Sequence, residues 1–428
     1  MDITLKNATV LNGKKDMKAQ KDMTVVIKDG KILSVKKNGD ELPGSKVIDL
    51  DGAYLMPGLI NMHCHLASSG KAPKSEKPTD YKSLANTLMK FALVRKIYVK
   101  LEEGLAKNEL YSGVTTLRSL GGLKTFDGIV RDNINAGKIP GPRIISANTA
   151  VSVPGGHFAG SLATEATSPE EAAEDVRKIA ATKPDIIKIM VTGGVMDATE
   201  EGEPGALRMQ PEIVKAACDE AHKLGYKVSA HVESPEGIKV ALKNGVDYIE
   251  HGAKADDEIL DLFKKTGAVD ICTLSPAMPY ALFDLAVSKC GETGKKNGKV
   301  VYDGMIDCAK KCLDAGIPVG LGTDAGCPFT THYNMWRELQ LAVKYLDISP
   351  ETALYMSTLG NATIAGLGDI TGSVEEGKCA DLIVSKNNPL ENFNALEKLE
   401  YVFASGKLYD HPKIKKMEDV DIELDKFM

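Results

Sequence analysis

Leu59-Ile60-Asn61-Met62-His63-Cys64-His65-Leu66, introduced by Pro57-Gly58, is an apolar run interrupted by two histidines one residue apart. In a β-strand successive side chains alternate between faces, so His63 and His65 project from the same side with their rings close enough to share one metal ion. Cys64 between them points the other way and reads as a small buried hydrophobe. Two unrelated histidines beside a turn would give the same octapeptide, so the metal reading depends on what the rest of the chain supplies.

Outward from this strand, residues 57–366 alternate apolar runs with amphipathic helical stretches. Helical segments end in glycine followed by an apolar run at Gly113-Val114, Gly225-Tyr226, Gly245-Val246, Gly267-Ala268 and Gly316-Ile317, the usual place of glycine just past a helix C-terminus. The strands flanking these helices number eight: 59–66, 114–120, 143–147, 186–191, 227–231, 248–251, 269–274 and 319–323. Eight βα units predict an α/β protein built on a (β/α)8 TIM-type barrel, with a doubly wound sheet as the weaker alternative.

The two ends of the chain read differently. Short runs such as Ile3-Thr4-Leu5 and Thr24-Val25-Val26-Ile27 are divided by Asp29-Gly30-Lys31 and Asp51-Gly52, and the pattern returns with Ala380-Asp381-Leu382-Ile383-Val384 and Tyr401-Val402-Phe403-Ala404. Neither end has strands enough for its own core. They are expected to pair into one small β-sandwich domain, 1–56 plus 367–428, around a barrel over 57–366.

Chemistry in such a barrel sits at the C-terminal ends of the strands. The first ends in His63 and His65, the fifth in His231, the sixth in Glu250-His251 and the eighth in Thr323-Asp324. The fourth, Asp185-Ile186-Ile187-Lys188-Ile189-Met190-Val191, carries a lysine in an apolar run. A buried lysine needs a reason, so Lys188 is paired with a carboxylate, chemically modified, or a reactive amine. Six polar groups thus converge on one rim. Any one alone would read as structural, but together they point to a metal site.

Composition bounds the partners. The chain has 428 residues, 43% hydrophobic, and a formal charge of -6 that offers no general attraction to nucleic acid or anionic membrane. No apolar run approaches the ~20 residues of a membrane span, and the N-terminal residues lack a secretory pattern, so a cytoplasmic protein is expected. Eight scattered cysteines without a Cys-x-x-Cys suit reduced thiols. Trp336 reads as core, and 275–297 as a surface helix.

The motifs Pro57-Gly58-Leu59-Ile60-Asn61-Met62-His63-Cys64-His65, Lys188, His231, His251 and Thr323-Asp324-Ala325-Gly326 resemble the amidohydrolase superfamily over nearly the whole chain. Lys188-Ile189-Met190-Val191-Thr192-Gly193-Gly194-Val195-Met196 and Pro154-Gly155-Gly156-His157 are similar to its prolidase and imidazolonepropionase-like branch, although Asn61 stands where an aspartate is frequent. The resemblance implies two divalent metal ions, with Zn2+ favoured by the nitrogen and oxygen ligands. It implies that Lys188 is carboxylated by CO2 and bridges them, that His63, His65 and Asp324 hold the more buried ion, and that His231 and His251 hold the more exposed one. It further implies a homo-oligomer that cleaves small dipeptides or N-acyl amino acids by a metal-bridged hydroxide, with Asp324 as the catalytic proton shuttle. His157 and Arg208, on loops after the third and fourth strands, are candidates to bind the substrate carboxylate.

Other readings compete. Imidazolonepropionase, acting on a cyclic amide, is the nearest rival. A mononuclear deaminase would use His63, His65, His231 and Asp324 but has no need of a buried lysine. A Schiff-base lyase would use Lys188 without requiring four histidines. A non-catalytic scaffold would not need all six groups.

Overall fold

The apolar runs of the middle of the chain become short parallel strands because they are buried on both faces, with helices outside them. The computed structural model describes residues 2–75, 89–198, 200–202 and 204–428. The N-terminal strands are β1 (Ile3–Val10), β2 (Gln20–Lys28), β3 (Lys31–Lys37), β4 (Lys46–Asp49) and β5 (Tyr54–Pro57). Then come β6 (Leu59–Cys64), β7 (Val114–Ser119), β8 (Arg143–Ser146), β9 (Ala150–Ser152), β10 (Ala163–Glu165) and β11 (Ile187–Met190). The central series ends with β12 (Val228–Val232), β13 (Tyr248–His251), β14 (Val269–Cys272) and β15 (Val319–Leu321), and the chain closes with β16 (Leu382–Ser385), β17 (Tyr401–Ala404) and β18 (Lys407–Asp410).

The central strands form two parallel sheets, β6-β7-β8 and β10-β9-β11-β12-β13-β14-β15. Backbone hydrogen bonds link them on both sides. Asp185 N donates to the Ser146 carbonyl at 2.7 Å, joining β8 to the approach of β11. On the other side Asp324 N donates to the His63 carbonyl at 2.8 Å, and His65 N to the Ala325 carbonyl at 2.7 Å. The molecule is therefore α/β with parallel strands, and its central array contains two strands, β9 and β10, that sequence reading did not anticipate. Each is three residues long, too short for a strand period to register.

The helices between the strands are marked at both ends by local chemistry. Ser168 caps helix Pro169–Ala180 by accepting from Glu171 N, with proline in the first turn and Arg177 and Lys178 in the last. Asp256 caps helix Asp257–Thr266 in the same way, and Gly267 ends it at φ 73.

The chain ends meet in one sheet of order β18-β17-β16-β5-β1-β2-β3, with β4 on β1. The expected sandwich of two stacked sheets is corrected to a single sheet that curls. Lys31 bridges Cys379, Ala380 N donates to the Gly30 carbonyl at 2.9 Å, and the enclosed core includes Leu5, Val25, Leu55, Leu382 and Phe403. Residues beyond β18 leave it. Helix Glu418–Leu424 lies against the central body, where buried Arg337 meets Asp421 at 2.8 Å and Asp425 at 2.5 Å.

Trp336 is a core residue, as expected. The surface helix expected over 275–297 is corrected: Leu274–Leu282 is a buried helix whose first amides are taken up by the Glu338 carboxylate, at 2.6 Å for Leu274 N. Alternating Pro, Tyr and Ser in Ser275-Pro276-Ala277-Met278-Pro279-Tyr280 hid its apolar character. Among the described residues no helix is long and apolar enough to cross a membrane, and all eight cysteines are free.

Candidate active site

His63, in β6, and His65, the first residue past it, meet Asp324, from the segment following β15. The two Nε2 atoms lie 3.4 and 3.1 Å from the same carboxylate oxygen of Asp324. The approach is so close that a Cβ on Gly322 would stand 2.6 Å from His63 N. Asn61 closes the same junction: its Oδ1 accepts from Thr323 N at 3.0 Å and His63 N at 3.2 Å, and its Nδ2 donates to Thr323 Oγ1 at 2.8 Å. Asn61, which lacks the charge of the aspartate frequent there, thus serves as a splice between the first and last central strands.

Three of the rings are held by their Nδ1 atoms, which leaves the Nε2 side free. His63 Nδ1 sits 2.7 Å from Glu250, His65 Nδ1 donates to the Gly121 carbonyl at 3.0 Å, and His251 Nδ1 lies 2.8 Å from Thr273 Oγ1. Orienting a ring through its far nitrogen is how a ligating histidine is fixed in one tautomer. Glu250 is itself fully buried and accepts from Arg118 and Ser229, each at 2.7 Å. Burial opposes its charge, but Arg118, His63 and Lys188 outweigh burial and hold its pKa at about 2.

A second group lies beside the first. His231, Glu233 and His251 bring one ligand atom each within 4.8 Å of one another, as do His63, His65 and Asp324. The His63 and His251 ring centroids are 4.7 Å apart and those of His231 and His251 4.8 Å. Burial raises Glu233 to about 8, aided by the neighbouring charges of Asp324 and Asp197. Lys188, 1% exposed, faces both groups, and its Nζ has no hydrogen-bond partner among the described residues. Burial brings its ammonium down to about 8 despite the opposing pull of Glu250 and Asp324.

At the rim, His157 stacks on His231 with centroids 4.2 Å apart, and its Nδ1 lies 2.5 Å from Asp197. Arg208 is exposed on the same side, where its charge helps hold Asp197 below the usual carboxylate range against the effect of burial. All eight residues singled out from sequence therefore lie at or around one site.

Four functional neighbours were missed. Glu250 and Arg118 are charged residues inside apolar strands, the same signal that identified Lys188. Glu233 repeats after His231 the one-residue spacing of His63 and His65. Asp197, in a loop rich in acids and glycines, carried no signal.

These groups can hold a divalent cation. His63 Nε2, Asp324 Oδ1 and Lys188 Nζ are buried atoms without hydrogen-bond partners among the described residues. Imidazole nitrogens and carboxylate oxygens facing one another at these distances make a suitable donor set for zinc and its neighbours.

The amidohydrolase family pattern matches residues 54–409. A crystal structure from Bifidobacterium longum, provisionally designated a prolidase, is 36% identical, covers 99% of this chain and 98% of its own, and superposes with a TM-score of 0.87. A Xaa-Pro dipeptidase with methionine bound in its active site is 29% identical, with 96% and 100% coverage and a TM-score of 0.84. Ochratoxinase of Aspergillus niger is 28% identical over 392 residues, 84% of this chain and 76% of that protein. With a family match across most of its length and clustered metal-type ligands at the strand ends, the chain belongs to the amidohydrolase family and is a hydrolase of carbon–nitrogen bonds.

Proposed function

We propose that the protein is a binuclear, metal-dependent hydrolase that cleaves the amide bond of small dipeptides or N-acyl amino acids, in the manner of a prolidase. The observation carrying this reading is the pair of ligand groups, His63/His65/Asp324 and His231/His251 with its neighbours, facing a buried lysine amine that has no hydrogen-bond partner among the described residues. The central strands are proposed to close as a (β/α)8 barrel over 57–366, supported by the hydrogen bonds linking the two parallel sheets on both sides. The composite β domain is proposed as 1–56 plus 367–428, with the last helix docked on the barrel.

His63, His65 and Asp324 would hold one ion and His231 and His251 the other. Divalent ions in such a site supply Lewis acidity and a nucleophile available near neutral pH. Lys188 is proposed to be carboxylated: its ammonium gives up one proton, the neutral amine adds to CO2 as an N–C bond forms and one C–O π bond opens onto oxygen, and a second proton leaves the nitrogen, so that the buried cation becomes an anionic carbamate. Asp324 accepts the proton of the attacking water and delivers it to the departing nitrogen as the new C–O bond forms and the C–N bond breaks. His157 and Arg208 grip a carboxylate beside the leaving nitrogen, which fixes the scissile bond at the strand ends.

The test is metal analysis of the purified protein together with a screen of the zinc-loaded form against dipeptides and N-acyl amino acids. Two equivalents of metal and hydrolysis of these amides are expected. One equivalent with deamination or cyclic-amide hydrolysis would replace this reading by mononuclear chemistry.

A further inference from the structure

Glu233 has no role in the six-residue ligand set. It follows His231 by two residues at the end of β12, where its backbone is pinned: Glu233 N donates to Thr192 Oγ1 at 3.0 Å. On the other side Gly205, at φ 72, approaches so closely that a Cβ there would stand 2.3 Å from the Glu233 carbonyl oxygen. The carboxylate turns inward. Its Oε2 is buried without a hydrogen-bond partner among the described residues, and it shares the space within 4.8 Å with ligand atoms of His231 and His251. A backbone hydrogen bond from Val195 serves the same carboxylate, which leaves Oε2 as its open atom, and a buried carboxylate oxygen is costly until a proton or a cation completes its surroundings.

We infer that Glu233 is a metal ligand, completing with His231 and His251 a second two-histidine, one-carboxylate group that matches His63, His65 and Asp324. This inference rests on the binuclear reading above and adds to it. Each ion then has an anionic protein ligand of its own, so the ion at His231 and His251 does not depend on the Lys188 carbamate for charge balance. A site furnished this way keeps its second ion when Lys188 is unmodified.

The experiment titrates Co2+ into the chelator-stripped full-length protein, following bound metal by equilibrium dialysis and ligand geometry by the visible absorption of Co2+. Wild type is expected to take two equivalents. Glu233→Gln should keep one tight equivalent and lose affinity for the second by at least ~10-fold, with a changed spectrum, while Glu233→Asp should recover part of it. Lys188→Met should still bind an ion that Glu233→Gln in the same background removes. Circular dichroism of each variant checks that the fold is retained. If Glu233→Gln binds two ions with wild-type affinity and spectrum, Glu233 is not a ligand. If that variant also shows only a raised KM, the carboxylate serves a cationic substrate group, and the inference is overturned. Failure of wild type to bind any ion would instead bring down the binuclear reading itself.

Discussion

Asp324 stands in the left-handed region at φ 57, held there by its own amide on the His63 carbonyl and by the tight Gly322 contact behind it. Aspartate tolerates that conformation better than most residues, but it still costs on the order of 1 kcal/mol, which the surrounding strand junction must supply. The strain aims its carboxylate between His63 and His65. Asp324→Asn preserves the shape and the backbone while removing the proposed proton acceptor, so the variant should fold normally and lose at least ~100-fold in kcat. Turnover against an unchanged circular dichroism spectrum decides it, and near-normal turnover would assign the proton transfer elsewhere. Lys188 offers a direct spectroscopic test. Protein equilibrated with 13C-bicarbonate should show a carbamate carbon resonance that is absent from Lys188→Ala, and short carboxylic acids should restore part of that variant's activity. No such resonance in active wild type would leave Lys188 as an unmodified amine.

At the scale of elements, β7 and β13 are joined through the interior by the Arg118–Glu250 ion pair, with Arg118 2% exposed, bonded also to the Met62 carbonyl at 2.8 Å and lying over the Tyr248 ring. Breaking a buried pair from one side strands the other charge, so Arg118→Met should destabilise the protein by ~3–5 kcal/mol. Adding Glu250→Gln should return much of that loss in urea unfolding. Equal destabilisation of the single and double variants would mean that packing, not charge, is at stake. This pair also explains how far the sequence was legible. Strands β6 to β8 and β11 to β15 announced themselves as apolar runs, and residues ending them could be read as facing the rim. Glu250 escaped because strand alternation puts adjacent residues on opposite faces. His251 departs from that rule, at φ 74, so that both it and Glu250 reach His63. Glu233, just past β12, kept the two-residue step from His231 but stood outside the apolar run that marked the strand, while Asp197 lies in a turn where no periodicity operates, and only folding brings it to the site.

Considered as a whole, the molecule places its candidate carboxylate-binding groups on loops and its proposed metal ligands at strand ends. The division follows from what each must do: ligands need rigid placement, while a substrate tail must be admitted and released. His157 is half-buried and held by Asp197, whereas Arg208 is exposed beside it. A guanidinium gripping a carboxylate through two parallel hydrogen bonds discriminates against a neutral amide, because the amide can accept only at one atom and presents its own N–H groups to the donor. Substrates with a free C-terminal carboxylate should therefore exceed their C-terminal amides in kcat/KM by roughly 10-fold or more, a difference of ~1.4 kcal/mol in transition-state binding. In Arg208→Met the preference should shrink, chiefly through KM for the free acids, with the amides little affected. Equal cleavage of acids and amides by the wild-type protein would show that no carboxylate pocket operates. The substrate would then be sought among cyclic amides, whose scissile bond can be positioned by the ring itself.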